Sequence, residues 1–156
     1  MAKVTLIIVG GESKIDKLIT GITGGAKSHV AISILGSTLE ALGIKDENDI
    51  YPGVWLHSPL KHINHPDATF IGVDIPDVVS AEDTARRLIG TLYGYVDCVN
   101  GGIYNLTGIQ LPGDGNLTAN CSETVVRVLR AGGFDILPGV DADCITPGDI
   151  YKEVVA

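Results

Sequence analysis

Three side chains in this sequence could work as one catalytic group: Cys121, His29 and Glu40. Cys121 follows Asn120 and opens a run that stops at Gly132-Gly133. The run reads as a helix with a thiol in its first turn. The positive end of a helix dipole favours thiolate over thiol, and the thiolate is the nucleophile of acyl transfer. Such a thiol needs a base, and His29, at the start of an apolar strand, is the best candidate. A base in turn needs a third group to fix its tautomer. Glu40, on the next strand, is the nearest carboxylate. Each residue also has an ordinary structural reading. Cys121 shares a helical face with Val125, Val128 and Leu129, so it can be a small hydrophobe ending a buried stripe. Lone strand histidines are commonly structural, and Glu40 can be an exposed strand carboxylate. Glu123 can cap the helix together with Asn120, but its charge opposes a nearby thiolate unless it points away.

These groups need elements to hold them. Lys3 to Val9 reads as a first buried strand, too short for a signal-peptide core. Ser13 to Ile22 sets Ile15, Leu18, Ile19 and Ile22 on one helical face. Ser28 to Leu35 predicts a strand, Gly36-Ser37 a tight turn, and Thr38 to Leu42 the returning strand. That hairpin pairs residues near 34 with residues near 39, so Glu40 meets His29 only through a bulge or a diagonal contact. Val54 to Ser58 and Thr69 to Val73 predict further strands. Ser80 to Leu92 predicts a helix with Ser80 as cap and Asp83 in the capping-box position. Val99 to Thr118, rich in Gly and Asn, predicts a long irregular excursion. Thr146-Pro147 opens a last short helix. Several strands before the main helix imply an α+β fold with a mostly antiparallel sheet.

The chain's 156 residues suit one domain spanning 1–156. A hydrophobic content of 45% marks a folded globular protein. The net charge of -8 argues against a nucleic-acid partner, which needs a basic face, and against an anionic membrane surface. No membrane-spanning segment is visible. Cys98, Cys121 and Cys144 are an odd number; without a signal sequence they read as reduced thiols in the cytoplasm. Export by a carrier, or packaging inside a virion, stays open.

Asn-Cys-Ser-Glu followed by Val-Val-Arg-Val-Leu-Arg-Ala-Gly-Gly resembles the nucleophile helix of NlpC-like cysteine peptidases and amidases, which have a papain-like fold. Here the histidine strand precedes the cysteine, an order similar to the circularly permuted branch with its YiiX-type hydrolases and lecithin retinol acyltransferase relatives. Ile145 to Tyr151 resembles the closing segment of permuted members, and Tyr93-Gly94-Tyr95 the aromatic segment before their nucleophile. Asn120 and Glu123 depart from the ordinary family's aspartate and glycine. The resemblance implies Cys121 as nucleophile, His29 as base, Glu40 as orienting residue, and no cofactor. It implies a bacterial or phage hydrolase acting on a peptide, a peptidoglycan peptide or an acyl substrate.

Other constellations compete. Cys98 also follows an aspartate, but Gly-Gly-Ile-Tyr-Asn soon after it is a weak helix start. Cys144 reads as structural. His57, His62 and His65 with Asp67 could hold zinc, although their spacing matches no known motif. Asp114-Gly115-Asn116 and Asp141-Ala142-Asp143 lack the full series of a calcium loop. The glycine pairs are turns rather than a phosphate loop. Two function classes remain. One is a cysteine hydrolase cleaving an amide, or else an acyl ester. The other is a papain-fold binding or structural protein without turnover. The oligomeric state is not legible in the sequence.

Overall fold

A computed structural model of the chain describes residues 1–10, 27–45, 50–115 and 117–156. The expected helix at Ser13 to Ile22 lies outside the described residues. Strand β1 (Ala2–Val9) pairs antiparallel on one side with β2 (His29–Ile34) and on the other with β5 (Ala68–Ile75). A strand paired on both edges and covered on both faces has no place for polar alternation. This explains the unbroken run Leu6-Ile7-Ile8-Val9, buried throughout. β3 (Ser37–Leu42), β4 (Gly53–His57), β6 (Leu92–Tyr93) and β7 (Thr118–Ala119) complete a sheet of seven strands, ordered β5-β1-β2-β3-β4-β6-β7. Every pairing is antiparallel except β6 with β7.

Four α-helices accompany the sheet among the described residues: α1 (Val78–Leu88), α2 (Tyr95–Thr107), α3 (Cys121–Ala131) and α4 (Pro147–Val155). The fold is therefore mixed α+β. Helix α3 packs across β2 and β3 and beside α1. Its Val125, Val126, Val128 and Leu129 are fully buried against Leu6, Ile8, Val30, Ile32 and Leu39. Each such side chain contributes roughly 1.5–3 kcal/mol on leaving water. On the opposite sheet face, Ile7, Val9 and Ala31 form a smaller apolar cluster. No helix among the described residues is long and apolar enough to cross a membrane.

Three local expectations need correction. The β2–β3 turn is Leu35-Gly36, not Gly36-Ser37. Both residues take left-handed φ, 56° and 68°, as a two-residue hairpin turn of this twist requires. Helix α1 begins two residues before Ser80, because Asp77 is the cap: its carboxylate accepts from the Ser80 N–H at 3.0 Å. That helix ends at Leu88, and Leu92 belongs to β6. Finally, much of the expected irregular stretch from Val99 is helix α2. Gly101 does not break that helix. A Cβ there would lie 3.2 Å from Thr146 Cγ2, so the glycine lets α2 approach the segment before α4 closely.

Candidate active site

The hairpin sets the first two groups. Ile34 pairs with Ser37, Ser33 with Thr38 and Ile32 with Leu39. Carried one step further, this register puts Glu40 opposite Ala31 and makes His29 its diagonal neighbour on the same face. Ala31 is too small to fill the space between them. His29 Nε2 lies 2.6 Å from Glu40 Oε2. The diagonal contact is thus the route taken, and the corrected turn brings Glu40 closer to His29 than the expected register did.

Glu40 is fully buried, yet it has a dense ring of donors. Lys61 Nζ lies 2.6 Å from Oε1 and His62 Nε2 lies 2.9 Å from Oε2, while His57 Nε2 stands 3.7 Å from Oε1. Burial pushes the Glu40 carboxyl pKa upward. Hydrogen bonds from His29 and His62, the His29 charge and Lys61 overcome that and hold it far below the usual carboxylate range. Glu40 is a buried anion.

The third group comes from α3. Asn120 accepts from the Glu123 N–H at 2.9 Å, and Glu123 reaches back to the Asn120 N–H, a complete capping box. Cys121 is therefore the first residue of a fixed helix end. Its sulfur is buried, and His29, the Val30 backbone and Ser122 are close enough to favour its thiolate. Burial opposes the thiolate, but His29, through its hydrogen bond and charge, carries the Cys121 pKa below the ordinary thiol value. Burial likewise opposes the His29 cation; the Cys121 and Glu40 hydrogen bonds prevail and lift the His29 pKa to about 10. His29 is thus held as the imidazolium at neutral pH, and the Cys121 thiol beside it is shifted toward the thiolate. Because Nε2 is engaged by Glu40, Nδ1 is the ring nitrogen left for the sulfur.

Glu123 does not spoil this arrangement. Burial raises its pKa to about 8, against the pull of Arg127, which pairs with its Oε1, so its negative charge near the thiol is disfavoured. The rival thiol fails for a reason other than the expected one. Cys98 does sit in the first turn of a helix, α2. Burial and the Cys121 charge push its pKa up to about 12, and the Tyr93 hydroxyl, 3.4 Å from its sulfur, only partly offsets them. Cys144 is buried, and its pKa is raised by burial.

The histidine cluster divides. His57 and His62 converge on Glu40, whereas His65 turns its Nδ1 to the Asp67 N–H at 3.2 Å. The grouping of His57, His62, His65 and Asp67 is therefore not a common site. A different set, His29, Glu40 and His62, has ligand atoms within 4.8 Å of one another and could hold a metal ion. The Lys61 ammonium on the same carboxylate opposes a second cation there. Asp114 accepts from Thr118 Oγ1 at 2.5 Å and anchors β7; Asn116 lies outside the described residues.

Two contributors escaped sequence reasoning. Lys61 lies in a Pro-flanked, turn-rich segment and reads as a solvated lysine; nothing local signals that it folds back onto Glu40. Tyr93 is buried in the small cavity that Cys98, Asn120, Cys121 and Ser122 also line. Burial and the Cys121 charge hold its phenol well above the ordinary pKa, so it stays a donor. Its one sequence signal is the Tyr-Gly-Tyr segment. No family model matches the chain, and no curated protein matches it.

Proposed function

We propose that the protein is a cysteine hydrolase that cleaves an amide bond, in a peptide or a cell-wall peptide, through a thioester. The observation that carries this reading is the 2.6 Å contact of His29 with buried Glu40, with His29 also favouring the thiolate of Cys121. The Cys121 thiolate attacks the carbonyl carbon. The oxyanion that forms meets the Cys121 backbone N–H at the α3 terminus. His29 then gives its proton to the leaving amine, and the carbon–nitrogen bond breaks. Water, deprotonated by His29, attacks the thioester and frees the acid. Glu40 holds the imidazole and stabilises its charged form. An acyl ester would pass through the same steps with an alcohol leaving.

The order of the histidine strand before the thiol helix, packed on a mostly antiparallel sheet, supports a circularly permuted NlpC-like, papain-like fold. A second reading, a binding protein of the same shape without turnover, draws support from the 4% exposure of Cys121. Thiol reactivity separates the two. Iodoacetamide at about pH 6 should label Cys121 well before Cys98 and Cys144, since only its thiol is shifted toward the thiolate. Cys121→Ala should fold normally and lose all turnover across a panel of muropeptides and acyl esters. Equal, slow labelling of all three cysteines would rule out the hydrolase.

A further inference from the structure

His62 lies outside the sulfur–imidazole–carboxylate path, yet it touches the same carboxylate oxygen that His29 does. The two rings do not stack. Their centroids are 5.8 Å apart and tilted by 48°, so they approach Oε2 from separate directions. Lys61 takes the other oxygen, Oε1. A carboxylate held by a single donor can rotate and accept water in competition with that donor. Two hydrogen bonds on Oε2 and the Lys61 ion pair on Oε1 together restrain its plane. Both Lys61 and His62 come from a single segment between β4 and β5, built of consecutive turns. The Lys61 N–H donates to the Ser58 carbonyl at 3.0 Å and the His65 N–H to the His62 carbonyl at 3.1 Å. Its sequence Leu60-Lys61-His62-Ile63 sends the two polar chains to Glu40, while Leu60 and Ile63 stay exposed. The segment is a strap across the carboxylate.

We propose that His62 is a positioning residue for the Cys121–His29 pair: it acts through Glu40, fixing the carboxylate plane and excluding water from it. The proposal rests on the cysteine-hydrolase reading. His62 touches neither the sulfur nor any reacting atom; its effect on the sulfur passes through Glu40 and then His29. The other titratable groups facing Glu40 are His57 and Lys61, and those facing the sulfur are Tyr93 and Cys98.

The test compares wild type, His62→Ala and His62→Gln, with EDTA present. The readout is the iodoacetamide labelling rate of Cys121 against pH, with Cys98 and Cys144 as internal controls. Gln retains an N–H donor near the Nε2 position, and Ala does not. In His62→Ala, labelling at about pH 6 should slow about tenfold, the scale of one lost hydrogen bond to a charged group. Its pH profile should move about one unit alkaline. His62→Gln should recover most of the rate. A purely structural role would lower the melting temperature of both variants without this split. Fast wild-type labelling with unchanged His62→Ala labelling would overturn the proposal and leave the hydrolase standing. Slow wild-type labelling would overturn both. Fast labelling only when zinc replaces EDTA would make His62 a metal ligand and also overturn it. If His62→Ala does not fold, His62→Met against His62→Gln makes the same comparison without a cavity.

Discussion

At the level of single residues, charge is separated by environment. Glu40 is buried and held anionic by its partners and Cys121 is shifted toward the thiolate, whereas burial shifts Glu123 toward its neutral form. This gives Glu123 a pH signature. Its folded pKa of about 8 lies above the ordinary 4.5. Between those values the native state keeps a proton that the unfolded chain has lost. Its contribution is therefore fully present below about 4.5 and declines as pH rises through about 8. Glu123→Gln keeps the capping geometry and removes the titration. The melting temperature of wild type should fall more steeply than that of the variant between about pH 5 and pH 9, by thermal denaturation at matched ionic strength. Parallel curves would show that Glu123 ionises without cost. The sequence offered both possibilities for Glu123, cap and opposing charge. The cap was decidable from the spacing of Asn120 and Glu123; the charge state was not, because it depends on burial by segments distant in the chain.

At the level of elements, α3 holds Cys121 at a helix end whose start is fixed by a local motif. Asn120→Ala removes that cap and should cost about 1 kcal/mol of stability. For a chain of this size that is about 2–4 °C in melting temperature. Labelling of Cys121 should also slow, since a frayed first turn weakens the dipole that acts on the sulfur. A variant with normal melting and normal labelling would show that packing alone holds the helix end. Helix α3 was legible because its cap, apolar stripe and Gly132-Gly133 stop all lie within one window. Helix α2 was not, because Gly101 and Gly102 argue against a helix locally. Only the approach of Thr146, far along the chain, explains why a glycine is needed. The two-residue strands β6 and β7 carry no pattern at all. The hairpin lay between these cases: its strands were clear, but the turn was misplaced by one residue. The role of Glu40 depended on that register.

At the level of the whole molecule, the sheet and α3 form the rigid frame and the strap is an addition to it. Backbone amides of β1 and β2 at Ile8 and Ile32, paired and fully buried, should exchange slowest, at the rate of global unfolding. Amides of residues 58–66, held by single turns, should exchange orders of magnitude faster. Hydrogen exchange read by mass spectrometry of peptic fragments measures both. Equal protection of strap and β1 would mean that the strap belongs to the global folding unit. The α+β class and the antiparallel sheet could be read from the run of strands before the main helix. The convergence on Glu40 could not, since it joins β2, β3, β4 and the strap, and no local pattern encodes such a meeting.

The wide separation of His29 and Cys121 along the chain has an outcome for biosynthesis. A ribosome that has delivered the hairpin and the strap has made the imidazole, the carboxylate and the groups that hold them, but not the sulfur. The sulfur comes beside the imidazole only once the later helix has been made and has packed on the sheet, so a chain that stops before Cys121 carries the His29–Glu40 pair without it.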